Sequence, residues 1–347
     1  MTLTPNLSTR RTYRILIALI LLSLLAIVFS CCIGSVSLSL GGVFDAFNEL
    51  RRGTSTQLGT TLVELRLHRA LSAFVTGGTL ALAGVLMQAL LRNPLADPYV
   101  LGISGGAAVG ALSAMILFGL IWVVDLAAFG GALLVAGLLF FLAYNDFKGS
   151  GNTEGSATTL LLTGVIIGSG CMSLITLLLS ISPDGRMRTM MFWMIGDLSG
   201  SEVRLYPWII LLVSLIYVCI NARAINVSAM YADSASTLGI STGRLRKGLF
   251  FCAALLTASA VSSAGSIGFV GLIMPHACRF AFGPDHRLLL PASCLAGGSF
   301  LVLADTLART VIAPLQLPVG VITALIGVPI FLLQLHQHRQ HHVSHAR

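Results

Sequence analysis

The sequence predicts an all-α membrane protein with about ten transmembrane helices. Of its 347 residues, 56% are hydrophobic and only 10% are charged, whereas a soluble domain carries about 25% charged residues. Lipid must therefore face much of the surface, and in lipid only helices or closed barrels satisfy the backbone. The apolar residues form continuous runs and do not alternate with polar ones, which favours helices over a barrel.

The spans follow from the length of each apolar run. A helix rises 1.5 Å per residue, so about 20 apolar residues cross about 30 Å of hydrocarbon. The small polar stretch Ser262 to Ser266 divides the seventh span from the eighth, and nine or eleven spans also fit the pattern. In chain order the predicted spans are 14–33, 68–91, 99–118, 121–144, 157–180, 204–222, 248–264, 267–282, 288–306 and 317–335.

The first span resembles a signal peptide, because Arg10 and Arg11 precede an apolar run. Residues 15–33 are nevertheless long enough to cross a bilayer, no A-x-A cleavage site follows them, and further spans come after. We therefore expect an uncleaved first transmembrane helix.

The charged residues predict the topology. More than half of the 21 basic residues fall on the side of the N-terminus, which places both termini in the cytoplasm by the positive-inside rule. We expect one transmembrane domain over 1–347, with a cytoplasmic tail 1–13, a periplasmic loop 34–63, a cytoplasmic loop 223–247 and a His-rich cytoplasmic tail 336–347. Because the net charge of +8 resides in short loops, we expect no nucleic-acid partner.

Neither an energy source nor an enzyme site is evident within the chain. The 13 acidic residues, Asp305 among them, all map to loops or predicted helix ends, which leaves ion coupling without a carrier. No phosphate-loop motif occurs, so energy is expected to enter through a partner. Gly102 to Gly106 matches the G-x-S-x-G motif of hydrolases, but it opens a predicted membrane helix. We expect no enzyme activity.

Small residues and histidines complete the residue-level pattern. Gly106/Gly110 and Gly164/Gly168 have GxxxG spacing, which predicts close packing between helices. His338 and His342 in the tail have i, i+4 spacing and are a weak candidate for a metal site. As part of a polar terminus they predict no metal.

Three segments share the pattern of one family: the first runs from 92 to 107, the second from 265 to 279 and the third from 317 to 329. Together they resemble the FecCD-type permeases of ATP-binding-cassette (ABC) importers for iron chelates, haem and vitamin B12. The resemblance extends from about residue 60 to residue 335. The residues that carry the first two segments are Asn93, Pro94, Asp97, Pro98, Gly102, Ser104, Gly105, Gly268, Gly271, Pro275 and His276.

The resemblance implies a fold like that of the vitamin B12 importer permease, in the cell inner membrane. It implies four kinds of partner: a second copy of the chain, two cytoplasmic ATP-binding subunits, a periplasmic binding protein and the bilayer. The chain itself would bind no cofactor, and ATP would be bound by the partner subunits. The cargo would be cobalamin, haem or a ferric siderophore.

The resemblance also implies roles for two sets of residues. Arg66 and Arg69 stand in an Arg-Leu-His-Arg stretch where the family has Arg-Leu-Pro-Arg, and with Arg309 they would dock acidic residues of the binding protein. The loop 223–247 would contain the element that couples to the ATPase. Its matching positions are Asp233, Ala235, Leu238 and Gly239.

Two other functions and the substrate stay open at this stage. The chain is also compatible with an ion-coupled secondary transporter or channel, and with a scaffold for a respiratory or secretion complex. The pathway is expected along the small and apolar face of 160–180. The stretches 94–99 and 285–291 lean towards the vitamin B12 branch.

Overall fold

The computed structural model of the chain describes residues 9–34, 41–42, 45–46, 48–49, 58–147, 153–199, 203–230 and 238–345. Within these ranges the chain forms twelve numbered α-helices and no strand. The helices are α1 (Thr9–Cys32), α2 (Leu58–Leu91), α3 (Ile103–Leu117), α4 (Ile121–Leu142), α5 (Thr153–Ser180), α6 (Asp184–Ile195), α7 (Leu205–Ile220), α8 (Ala222–Met230), α9 (Thr242–Ala264), α10 (Val270–Phe282), α11 (His286–Thr310) and α12 (Val319–His345).

The predicted fold class is confirmed. Each of the ten predicted spans contains one apolar helix: α1 to α5, α7, and α9 to α12. Six of these are long and apolar enough to cross a membrane, and α7 with α8 makes a seventh if the pair, bent by 62°, is one span. Helices α3, α10 and the apolar part of α12 are shorter. The seventh and eighth spans are separate helices, because α9 ends at Ala264 and α10 begins at Val270.

Helix α6 was not predicted from the sequence. Its 12 residues are too few to span a bilayer, and Arg186 and Arg188 interrupt its apolar pattern. The helix is followed by Gly196, whose φ of 91° is rarely adopted by residues that have a side chain. The Gly196 carbonyl accepts a hydrogen bond from Gly320 N at 3.2 Å, so the end of α6 lies against the start of α12.

Helix α2 is the centre of the bundle, because 89% of its most apolar stretch is buried. Gly77 of α2 packs against Gly297 of α11, and Gly84 packs against the Gly271 carbonyl of α10. A Cβ atom at any of these positions would overlap backbone of the neighbouring helix. Glycine therefore allows α2 to touch its neighbours backbone to backbone, and in lipid such contact is what holds helices together.

The helices fix two sides of the molecule. Helices α1 and α11 run parallel, since Ser23 bonds Ser299 and Arg309 bonds Ser30, and α2 runs antiparallel to both. We call the side where α1 and α11 end and α2 begins the far side. The side where α1 and α11 begin is the near side.

Two segments outside the α-helices explain why α3 and α10 are short. Residues 265–268 lie between α9 and α10 without regular structure, and Ile267 is 1% exposed. Residues 93–102 lead from α2 to α3 through the exposed Pro94 and a 3-10 turn, and they end at Gly102, which has a φ of 76°. The buried parts of both segments lie among other helices, which is where a membrane protein tolerates irregular backbone.

The GxxxG glycines pack closely, as predicted. Gly106 and Gly110 of α3 lie against the backbone of α4, and Gly164 of α5 lies against Leu101. The G-x-S-x-G match at Gly102 to Gly106 follows a 3-10 turn and begins α3, with no strand in the described ranges. The strand–turn–helix arrangement of a hydrolase elbow is therefore not formed there.

A substitution at Gly84 tests the backbone contact between α2 and α10. Gly84→Ala should destabilise the fold by about 1–3 kcal/mol, because the added Cβ has to displace the Gly271 carbonyl. Thermal unfolding of the purified chain in detergent measures this. Gly137→Ala on α4 is the matched control, since open space surrounds that position. Equal stability of the two variants would contradict the close contact.

Candidate functional site

The three arginines expected to dock the binding protein lie together on the far side. Arg69 of α2 donates through Nε and Nη2 to the carboxylate of Asp305 on α11, at 2.8–3.0 Å. Its Nη1 also donates to Gln316 Oε1 at 2.7 Å. Asp305 is 1% exposed, so this is a buried, bidentate ion pair.

The other two arginines join the end of α1 to the same cluster. Arg309 Nη2 donates to the backbone carbonyl of Ser30 at 2.8 Å and to its Oγ at 2.6 Å, and Nε lies 3.5 Å from Asp305. Arg66 Nη1 donates to the Cys31 carbonyl at 3.0 Å. We call Arg66, Arg69, Asp305 and Arg309 the far-side cluster. It contains three guanidinium groups and one carboxylate, and it ties together the far ends of α1, α2 and α11.

The position of Asp305 corrects the sequence analysis. The predicted span ended at residue 306, but α11 continues to Thr310, so Asp305 lies inside the helix. Asp125 lies inside α4 in the same way and pairs with Arg204 at 2.6 Å. Both acids have an arginine partner, so neither is a free carboxylate of the kind that an ion-coupled carrier uses.

The first two signature segments, predicted from the resemblance, meet in the interior. The Tyr99 hydroxyl donates to the Ile267 carbonyl at 3.0 Å. Gly271 lies against Pro98 and against the Leu80 carbonyl, where a Cβ has no room. The two non-helical segments therefore hold each other in place, and the hydroxyl satisfies a carbonyl that lies outside any helix.

Polar residues of the first signature shape its backbone. Asn93 Oδ1 accepts from Leu95 N at 2.9 Å, beside the exposed Pro94. Asp97 caps the 3-10 turn Pro98–Leu101 by accepting from Tyr99 N at 2.8 Å.

The remaining signature positions differ in how closely they are packed. Gly105 faces Cys171 of α5 too closely for a Cβ, and Pro275 is buried within α10. Ser104 and His276 are half-buried, whereas Gly268 has open space around it. Close packing therefore explains Gly105, Gly271 and Pro275, whereas it does not explain Gly268 or the exposed Pro94.

The third segment, 317–329, packs beside residues 265–269 and the end of α6. Gly320 lies against the Ile195 carbonyl at the end of α6, and Gly327 lies against Phe269. Phe269 has a φ of 71°, which is rare for a residue with a side chain. Residues 265–269 thus contact the first signature through Tyr99, α6 through Gly265 and α12 through Phe269.

Two of the four expected coupling residues, Leu238 and Gly239, lie on the near side, before α9. Asp233 and Ala235 lie outside the described residues. Leu238 is 62% exposed, and Gly239 adopts a φ of 81° in a turn with open space around it. Gly239 therefore allows a turn here, with the apolar side chain of Leu238 exposed beside it.

Helix α5 exposes a row of hydroxyl groups. Ser169, Ser173, Thr176 and Ser180 are exposed, and each donates to the carbonyl four residues earlier in the helix. Gly170 has open space beside it. These hydroxyl groups share the exposed side of α5 with Val165, Met172 and Leu177, so this side carries uncharged groups, both polar and apolar.

The His-rich tail continues α12 as a helix. His338 and His342 fall in its last turns, and their side chains lie outside the described part of the chain. Among the residues that the structure describes, no group of three His, Cys, Asp or Glu side chains is placed to hold a metal ion.

The far-side partners were missed by sequence reasoning. Asp305 and Arg309 have the i, i+4 spacing of a helical ion pair, and that signal could have linked them. Nothing in the sequence links Arg69 to Gln316 or Arg309 to Ser30, because these contacts join residues more than 240 positions apart.

Removing the carboxylate tests the far-side cluster. Asp305→Ala should destabilise the chain by about 3–5 kcal/mol, because Arg69 and Arg309 would stay buried without their counter-charge. Asp125→Ala, which breaks a more exposed ion pair, should cost clearly less. Thermal unfolding of each variant in the same detergent provides the comparison. An Asp305→Ala variant as stable as Asp125→Ala would contradict the assignment.

Comparison with known proteins gives one consistent result. The FecCD transport family model matches residues 19–337. The uncharacterized ABC transporter permease protein YvrB of Bacillus subtilis is 38% identical, covering 90% of this chain and 91% of YvrB. The vitamin B12 import system permease protein BtuC of Shigella boydii is 37% identical, covering 93% of this chain and 95% of BtuC.

Solved structures agree with the sequence relatives. A transporter assigned to the metal-chelate type of ABC transporters, in an inward-facing conformation, has a TM-score of 0.80 and 29% identity over 93% of this chain and 99% of its own. PsaBC from Streptococcus pneumoniae has a TM-score of 0.52 at 16% identity and shares the fold alone. With the family model and these relatives covering almost the whole chain, the chain belongs to the FecCD transport family and is an ABC transporter permease.

Proposed function

We propose that the chain forms the translocation path of an importer that takes a metal chelate from a periplasmic binding protein into the cytoplasm, with cobalamin as the first candidate. The observation that carries the proposal is the 37% identity to a vitamin B12 import permease over 93% of the chain. Haem and ferric siderophores are the other cargoes of the same chemical kind, since each holds a metal inside a large organic ligand.

Energy would come from two cytoplasmic ATP-binding subunits on the near side. The chain has no phosphate-loop motif of its own. The exposed Leu238 beside the Gly239 turn gives such a subunit an apolar contact on the near side. In this arrangement both termini lie in the cytoplasm of the cell and the far side faces the periplasm.

A second copy of the chain would cover the hydroxyl face of α5. Ser169, Ser173 and Ser180 point away from the rest of the described chain, and Gly170 leaves room for close approach. Two such faces opposite each other would form a passage lined by small and weakly polar groups. A passage of this kind lets a bulky chelate through without holding it, because no charged side chain lies on this face.

The far-side cluster would receive carboxylates of the binding protein. Its guanidinium groups outnumber the carboxylate of Asp305, so an incoming acid meets positive potential. Gln316 is exposed and occupies Arg69 Nη1 with a neutral oxygen at 2.7 Å. A docking carboxylate would replace that amide, because an ionised acceptor makes the stronger hydrogen bond to a guanidinium group.

Uptake into vesicles tests the function. Vesicles that contain the chain with its cognate ATPase should accumulate cyanocobalamin only when the binding protein and ATP are both present. Haemin and a ferric hydroxamate are offered in parallel, and uptake of one of these instead would reassign the cargo. Accumulation driven by an ion gradient, without ATP, would overturn the proposal.

Gln316 allows docking to be tested without disturbing the buried ion pairs. Gln316→Glu should weaken binding-protein affinity about tenfold, because a resident carboxylate then occupies Arg69. Gln316→Ala is the matched control and should leave the affinity within about twofold, since it frees the guanidinium group. Biolayer interferometry on nanodisc-embedded complex measures both. Equal affinities for the two variants would contradict docking at Arg69.

A further inference from the structure

A polar contact on the near side joins α8 to the start of α11. Asn226 of α8 donates through Nδ2 to Asp285 Oδ1 at 2.7 Å. Its Oδ1 accepts from the backbone N–H of His286 at 2.9 Å and lies 2.7 Å from His286 Nδ1. One side chain of α8 thus contacts two consecutive residues that begin α11. We call Asn226, Asp285 and His286 the near-side clamp.

The clamp completes the N-terminal cap of α11. Asp285 is the N-cap residue and accepts from Arg287 N at 3.0 Å. The preceding N–H, that of His286, is accepted by Asn226 from another helix. The first N–H groups of a helix have no partner within it, so α11 depends on α8 for one of them. The first turn of α11 is therefore tied to the position of α8.

Helix α8 is a short lever beside the coupling segment. It leaves α7 at an angle of 62°, at Asn221, whose Nδ2 donates to the Tyr217 carbonyl at 2.8 Å. Ala222 and Ile225 are buried on one face, and the helix ends at Met230. The proposed coupling residues 233–239 follow directly in the chain. The segment lies between α8 and α9 in the chain, so a push on it acts on both helices.

Helix α11 connects the clamp with the far-side cluster. Its 25 residues extend about 37 Å at 1.5 Å per residue. Gly297 and Gly298 hold it against α2. Asp285 marks its near end, and Asp305 lies close to its far end in contact with Arg69. Pro291 lies in the second turn of α11, and beyond it the glycines hold the helix against α2, so a displacement of the first turn acts on a closely packed helix.

We propose that Asn226 is the positioning residue through which movement of the ATPase-coupling segment reaches α11 and, along it, the binding-protein docking arginines. The inference rests on the proposed function, since it needs both an ATPase on the near side and a binding protein on the far side. It adds a specific link between them. Nucleotide state on one side then alters affinity for the binding protein on the other, and the coupling free energy depends on the clamp.

The experiment exchanges the two polar groups of the clamp. The complex of the chain with its cognate ATPase is placed in nanodiscs, and its affinity for the binding protein is measured without nucleotide and with ATP plus vanadate. The ratio of the two affinities reports the coupling. Asn226→Asp sets two carboxylates against each other. Asn226→Asp combined with Asp285→Asn restores an amide–carboxylate pair with donor and acceptor exchanged, and asparagine keeps the N-cap of α11.

The expected result is specific to the pair. Asn226→Asp should reduce the nucleotide-linked affinity ratio about tenfold, and the exchanged double variant should return to within about twofold of wild type. Asn93→Asp is the matched control, because it makes the same chemical change outside α8 and α11, and the aspartate keeps the oxygen that accepts from Leu95 N. It should leave the ratio as in wild type.

The other outcomes separate the clamp from a merely stabilising cap and from failure of the function. A lower unfolding temperature for Asn226→Asp with an unchanged ratio would overturn the inference, as would a double variant that assembles without recovery. If Asn226→Asp does not assemble, Asn226→Ala, which removes both contacts to α11 without adding a charge, is measured instead, and a wild-type ratio there overturns the inference too. Failure of the wild-type chain to bind ATPase or binding protein would refute the proposed function itself, before any variant is compared.

Discussion

Close backbone contact around α2 is the constraint on which the rest of the molecule depends. The hydrophobic effect does not drive helices together in lipid, because lipid tails are as apolar as the side chains. The bundle is therefore held by van der Waals packing at short range. Gly77 and Gly84 let α10 and α11 approach α2 without an intervening side chain. That approach sets the height at which α11 lies beside α2, and this height brings Asp305 level with Arg69.

The charges of the interior follow from this registration. A buried arginine is tolerated only beside a counter-charge or acceptors, because the cost of removing a charge from water is high. Arg69 has Asp305, and Arg309 has Ser30 and Asp305. On the near side α11 is held by Asn226. One helix is thus fixed by polar contacts at both ends and by glycine contacts between them, which suits an element that carries movement across a membrane.

The signature segments show what a residue pattern predicts and what it leaves to the structure. Their resemblance located Pro98 and Gly271 in the chain, and the structure shows that these two residues touch. The sequence had already placed both breaks, between residues 91 and 99 and between residues 264 and 267. Only the fold shows that the two segments meet, where the Tyr99 hydroxyl bonds the Ile267 carbonyl, because a hydropathy pattern does not record which segments of a chain touch.

By itself the sequence determined the all-helical membrane class, the ten apolar helices and the family, because apolar run length and local motifs are written along the chain. It placed Arg66, Arg69 and Arg309 together as one functional set only through resemblance. Tertiary structure alone decided that Asp305 lies between two of them, that α6 exists as a short helix, and that Asn226 caps α11. Each of these depends on residues far apart in the chain, and their proximity is fixed by helix packing, which no local pattern records.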